Sequence, residues 1–269
     1  MKTISENRCF GGTQGVYCHA SDATGTEMTF GLFVPEGAPG APVLWYLSGL
    51  TCTHENAMTK AGLQAWAAEA GVAVAFPDTS PRGDDVPDDE SYDMGQGAGF
   101  YVDATEGEWA RHFQMESYIL SDLPETIFAA FDLDHTRQSI TGHSMGGHGA
   151  LTLAMKTPGR FRSVSAFAPI CNPSASDWGT PQLTAYTGVP SAHDATVLLA
   201  TGGIDIPLLI DAGTSDKFYD KLGLDAFAAA LAMTKTPADL RLQKGYDHSY
   251  FFVASFAADH MAFHAEHLA

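Results

Sequence analysis

Short apolar runs alternate with stretches of helical periodicity along most of this 269-residue chain, and that alternation restricts the fold more than any other feature. Val72–Phe76, Gln138–Thr141, Ser163–Ala168, Pro207–Ile210 and Leu240–Gln243 read as strands. Thr59–Ala70, Met115–Phe131, Met145–Lys156, Leu224–Met233 and Ser249–Leu268 read as helices, the first with Thr59 as N-cap and the second turned or kinked at Pro124. Strands that are apolar throughout suit a sheet covered on both faces. The pattern therefore predicts an α/β fold, with a mostly parallel central sheet and helices on both faces. Upstream, Gly15–His19 and Met28–Val34 flank a polar turn at Ser21–Thr26, which predicts antiparallel strands on the N-terminal edge. Pro42–Leu47 is a further buried strand, ending on Ser48-Gly49. With no linker and no internal repeat, residues 1–269 read as one domain.

Two stretches break the rhythm. Pro77–Asp103 is rich in Pro, Gly and Asp, and Cys171–Asp205 reads as equally irregular around Trp178. Loops of that length in a compact domain usually wall or cover a pocket. In a parallel sheet the working residues lie at the carboxyl ends of the strands, which is where such loops start.

The charge balance narrows the partners. Fourteen basic residues against thirty-two acidic ones give a net charge of −18, which repels nucleic acid and anionic membrane. No apolar run reaches the roughly 18 residues of a membrane span, and Met1–Phe10 has no apolar signal core. Cys9, Cys18, Cys52 and Cys171 have neither zinc-ligand spacing nor the density of a disulfide framework, so they read as reduced thiols of a cytoplasmic protein.

The chemistry is concentrated in Gly142-His143-Ser144-Met145-Gly146, a G-x-S-x-G that follows a strand and opens a helix. That context is a nucleophile elbow, in which a sharp turn lifts the serine Oγ clear of the sheet. A neutral hydroxyl needs a base. Of the eleven histidines, His248 lies in the loop after the last strand, where this architecture puts its base, whereas His143 and His148 flank the serine on the wrong side. The orienting carboxylate should follow Pro207–Ile210, and both Asp211 and Asp216 qualify. The order of the three groups is that of the α/β-hydrolase fold. Oxyanion donors are expected at the N–H of Met145 and, in the turn Ser48-Gly49-Leu50-Thr51, at the N–H of Leu50. His260, His264 and His267 have metal-like spacing but read as a solvated helix face, so no metal is expected.

Several blocks carry a family resemblance: Leu47-Ser48-Gly49-Leu50-Thr51-Cys52-Thr53, the elbow with Gly147, and Gly245-Tyr246-Asp247-His248-Ser249-Tyr250. Gly97–Thr105, Phe167–Pro173 and Asp211–Phe218 match as well. Together they resemble the S-formylglutathione hydrolase (esterase D) family over nearly the whole chain. The resemblance implies a cofactor-free serine hydrolase that splits a small glutathione thioester into glutathione and formate, commonly as a homodimer. It implies Ser144, Asp216 and His248 as the triad, with Leu50 and Met145 at the oxyanion. It also implies that Cys52 lies beside the nucleophile and Trp178 in the pocket wall. One departure is Ser176-Asp177-Trp178-Gly179, where the family usually has Cys-Pro-Trp-Gly. Bulky Leu50, Met145 and Trp178 point to a small acyl pocket, and Lys60 and Arg82 are candidates to draw in an anionic substrate. The same machinery serves small oxygen esters, so an acetyl or general carboxylesterase is the alternative.

Overall fold

The computed structural model describes all residues, Met1–Ala269. The sheet holds nine strands: β1 Lys2–Cys9, β2 Gly12–Ala20, β3 Glu27–Pro35, β4 Ala41–Leu47, β5 Ala73–Pro77, β6 Leu133–His143, β7 Val164–Phe167, β8 Leu208–Gly213 and β9 Asp239–Gln243. Their spatial order is β1-β2-β3-β5-β4-β6-β7-β8-β9. The pairs β1/β2, β2/β3 and β3/β5 are antiparallel, and every pair from β5/β4 to β8/β9 is parallel. This is the mixed sheet the sequence predicts. Every residue of β4, β5, β7 and β8 is buried, as strands covered on both faces must be.

Helices His54–Lys60 and Gln64–Ala70 pack with the closing helix Tyr250–Leu268 on one face. Met145–Lys156, Ala195–Gly202 and Leu224–Thr234 pack together on the other. Their apolar sides and the strands form one contiguous core that includes Trp45, Phe76, Phe167 and Phe252.

The structure departs from the sequence reading in three places. A strand precedes the predicted ones: β1 is exposed on both faces, so it carries no apolar pattern to betray it. The expected helix Thr59–Ala70 is two helices, because Gly62 sits at φ 70°; the N-cap is Thr53, whose Oγ1 accepts from the Glu55 N–H while Asn56 reciprocates. Pro124 stands, as expected, where a turn begins: it occupies the first turn of Leu123–Ala130, entered through a π-type turn over Tyr118–Asp122, and its missing N–H is one the helix start leaves unpaired anyway. Cys171–Asp205 is not irregular throughout: it contains the helices Thr180–Thr187 and Ala195–Gly202, the second capped by Asp194, which accepts from the N–H groups of Thr196 and Val197.

Candidate active site

β6 ends on His143 and the next helix begins at Met145, so Ser144 alone makes the turn. Its φ of 58° and ψ of −118° are sparsely populated for a residue with a Cβ, a strain of order 1–3 kcal/mol. The flanking glycines make that turn sterically feasible. A Cβ on Gly142 would lie 2.2 Å from the Gly146 carbonyl oxygen, and one on Gly146 would lie 2.0 Å from that of Leu47. Neighbouring backbone pins the strained residue: the Ser144 N–H donates to the Phe167 carbonyl (2.9 Å), and the Ser144 carbonyl accepts from Ile170 (3.2 Å) and His148 (3.0 Å).

The loops after β8 and β9 are stitched to each other. Thr214 donates its N–H to Gln243, Ser215 donates to Tyr246, and the Gly245 N–H donates to Thr214 Oγ1. Gly213 permits this approach, since a Cβ there would fall 2.2 Å from the Tyr246 carbonyl oxygen. The result is a contact between residues 32 positions apart: His248 Nδ1 lies 2.6 Å from Asp216 Oδ2. Asp216 Oδ1 meanwhile accepts the Phe218 N–H at 2.8 Å, which fixes the carboxylate plane. The Asp216 side chain is fully buried and that of His248 is 15% exposed.

The turn after β4 is held from several sides. Thr51, at φ 66°, donates its N–H to Gly97, Tyr101 Oη donates to the Ser48 carbonyl, and the Cys52 carbonyl accepts from Thr79 Oγ1 and Arg82 Nη2. The Leu50 N–H makes no hydrogen bond within the protein. The Met145 N–H, at the first residue of its helix, has no intrahelical acceptor. Two donors thus remain available near Ser144, one of them at the positive end of a helix dipole.

Ser144, His248, Leu50, Cys52 and Trp178 line one cavity of about 220 Å³, together with Gly49, Thr51, Tyr92, His143, Phe218 and Tyr250. The two long loops meet over it, where Trp178 Nε1 donates to Tyr92 Oη at 2.9 Å. Trp178, Phe218 and His248 form an aromatic sequence, with Trp178–Phe218 ring centres 4.4 Å apart and Phe218–His248 centres 5.1 Å apart. Ser176 Oγ takes the Trp178 N–H and donates to the Lys221 carbonyl, so Ser176-Asp177 in this chain still anchors the tryptophan. The Met145 side chain is buried in the core and forms no part of the wall, unlike Leu50. Cys52 is buried, its Sγ 4.0 Å from Tyr250 Oη, and burial pushes its thiol up.

Several expectations need correction or narrowing. Asp211 points away from the site: its carboxylate takes Arg241 Nε (2.7 Å) and Nη2 (2.5 Å), Gln243 Nε2 and His260 Nε2. His260 and His264 are buried rather than solvated, because Ser163, just before β7, and Ser165 within it meet their ring nitrogens. Arg82 is tied to Asp78 and to the loop carbonyl of Cys52, and neither it nor the exposed Lys60 lines the cavity. Of the six wall residues not assigned from sequence, Gly49 and Thr51 lie in the turn expected to carry an oxyanion donor, and the other four were missed. Tyr250 was within reach, two positions beyond His248; Tyr92 stands in an unpatterned loop and gives no local signal. His143 is the fourth member of that group with Phe218; its ring centre lies 4.6 Å from that of His248, and burial, followed by the neighbouring His248 charge, holds its pKa well below the usual value.

Comparison with known proteins identifies the family. The esterase family profile matches residues 21–263. The S-formylglutathione hydrolase of Paracoccus denitrificans is 61% identical over 273 residues, covering 99% of this chain and 98% of the relative. That of Mus musculus is 49% identical over 278 residues, covering 100% and 99%. The solved structure of an S-formylglutathione hydrolase from Agrobacterium tumefaciens superposes with a TM-score of 0.98 at 49% identity, covering 100% of both chains. With a serine elbow, an Asp–His pair and full-length similarity of this degree, the chain belongs to the S-formylglutathione hydrolase family of esterases.

Proposed function

We propose that the protein hydrolyses S-formylglutathione to glutathione and formate, with Ser144 as nucleophile, His248 as general base and Asp216 as the group that orients it. The observation carrying this reading is the convergence of the strained Ser144 and the Asp216–His248 pair on one 220 Å³ cavity, in a chain 61% identical to a relative of that name.

Ser144 Oγ attacks the formyl carbon while His248 Nε2 takes its proton. Asp216, bonded to Nδ1, selects that tautomer and stabilises the imidazolium. The carbonyl oxygen becomes an oxyanion that the Leu50 and Met145 N–H groups receive, each such donor contributing about 10²–10³ in rate. Collapse breaks the C–S bond and releases glutathione thiolate, which takes the proton from His248 as it departs, leaving formyl-Ser144 and a neutral imidazole. A water then gives its proton to His248 and attacks the same carbon; collapse releases formate and returns the proton to Ser144. A thiolate leaves readily, so the first step makes little demand for general acid.

Four free thiols support a reducing, cytoplasmic setting, and no helix is long and apolar enough to cross a membrane. Homodimerisation is part of the proposal; the exposed outer edge of β1 supports it. The test of function is steady-state kinetics on S-formylglutathione. Wild type should turn over with a kcat/KM well above that on phenyl acetate, and Ser144→Ala should lose at least about 10⁴ in kcat. A thioester rate no better than the aryl acetate rate would overturn the substrate assignment.

A further inference from the structure

With a net charge of −18, the chain is a poor attractor of an anionic substrate unless positive charge is placed where that substrate enters. Five of its cations, namely Arg8, Arg82, Arg137, Lys156 and Arg241, are already paired with carboxylates. Two of the others stand against the walls of the substrate cavity. Lys217 Nζ lies 4.7 Å from the ring centre of Phe218, and Lys221 Nζ lies 5.4 Å from that of Trp178. Both lysines are exposed and neither has a carboxylate within salt-bridge distance, although Asp216 and Asp220 adjoin them in sequence.

We propose that Lys217 and Lys221 form a carboxylate-binding rim on the cavity and receive the two carboxylates of the glutathione moiety. The inference rests on the substrate class proposed above. Phe218 and His248 ring centres are 5.1 Å apart, so the Lys217 ammonium is no more than about 10 Å from the His248 imidazole. A tripeptide held by its central sulfur at Ser144 extends about 3.5 Å per residue, which brings its terminal carboxylates into that range. Cation–π contact with Phe218 and Trp178 fixes the direction of each flexible lysine before substrate arrives, so less side-chain freedom is lost on binding. The same residues that wall the reacting centre thus aim the charges that select its substrate.

The test uses S-methylglutathione, a thioether the enzyme cannot cleave, as an inhibitor of phenyl acetate hydrolysis. In Lys217→Gln/Lys221→Gln, its Ki and the KM for S-formylglutathione should each rise about 3- to 10-fold, and the dependence of Ki on salt should flatten. The kcat for the thioester and all constants for neutral phenyl acetate should stay at wild-type values, and Lys217→Arg/Lys221→Arg should retain the wild-type Ki. An unchanged Ki in the glutamine variant, with thioester turnover intact, overturns the role of the lysines alone. A wild-type enzyme that cleaves phenyl acetate but not S-formylglutathione overturns the substrate assignment instead.

Discussion

Asp211 and Asp216 are five residues apart on the same strand-to-loop segment, yet their carboxylates serve opposite sides of the sheet edge. Asp216 reaches His248 Nδ1 at 2.6 Å, while Asp211 is clasped by Arg241 at 2.5 and 2.7 Å. The division has a simple cause. Asp211 is still inside β8 and its side chain follows the strand's alternation, whereas Asp216 lies beyond Gly213, where the chain has turned over the end of the sheet. One carboxylate is committed to a buried ion-pair cluster and the other to the histidine at the cavity.

Exchanging each for asparagine should separate these roles. Asp216→Asn should lower kcat about 10³–10⁴-fold by favouring the wrong His248 tautomer, with little change in melting temperature. Asp211→Asn should instead cost about 2–4 kcal/mol, because Arg241 and His260 lose their shared acceptor, and lower Tm by roughly 5–10 °C. Its kcat should stay within a few-fold of wild type. Paired kinetics and thermal melts check both, and loss of activity in Asp211→Asn without loss of stability would reverse the assignment.

The cavity walls limit the acyl group: Leu50, Trp178, Phe218 and Tyr250 crowd the space around Ser144, which suits a short chain. Acetyl esters should therefore be cleaved much faster than decanoyl esters. Trp178→Ala removes a wall and its bond to Tyr92, so it should raise the decanoyl-to-acetyl ratio of kcat/KM at least about 10-fold, a change of about 1.4 kcal/mol. A series of 4-nitrophenyl esters from acetyl to decanoyl measures the ratio.

Gly213→Ala tests the stitching of the β8 and β9 loops. A methyl group there collides with the Tyr246 carbonyl at 2.2 Å, a backbone atom that cannot rotate away. The loops must separate, which should cost about 2–4 kcal/mol in stability. Activity should fall by more than the folded fraction, since the Asp216–His248 contact spans the same junction. Comparing kcat per active site, titrated with a fluorophosphonate, with the denaturant midpoint distinguishes the two effects.

What could be read from the chain follows from where each cause lies. The elbow was legible because the requirement for a small residue at Gly142 is local, set by the Gly146 carbonyl of the same turn, whereas that at Gly146 comes from the Leu47 carbonyl of β4. The parallel strands were legible because burial on two faces leaves them apolar throughout. Asp211 and Asp216 were not separable, since the deciding partner, Arg241, comes thirty residues later from a neighbouring strand. His260 and His264 look like a polar helix face until the segment 163–165 supplies Ser163 and Ser165. The lysine rim was equally hidden: Lys217 and Lys221 acquire meaning only once Phe218 and Trp178 meet at the cavity.

Buried histidines should also set the acid limit of the fold. His143, His148 and His264 are enclosed, and burial is the largest cause holding each below its ordinary pKa, that of His148 at about 3. In the unfolded chain all three return to about 6.5. Above that pH neither state binds protons at these sites, and their neutral forms cost nothing. Below it the unfolded chain takes up protons the native one refuses, so stability drains away as pH falls, by about 1.4 kcal/mol per pH unit for each histidine. Three such groups together give about 4 kcal/mol per unit, enough to exhaust a typical domain's stability within two to three units. Asp211, held at about 2 by His260 and Arg241 against the opposing pull of burial, adds a further loss only below about pH 4. Tm should therefore be nearly flat from pH 8 to 7 and fall steeply between pH 6.5 and 5. His264→Gln, which keeps an acceptor and a donor for Ser163 and Ser165 but binds no proton, should reduce the slope by about 1.4 kcal/mol per pH unit. Melting curves followed by circular dichroism across that range measure it, and an unchanged Tm from pH 7 to 5 would rule the mechanism out.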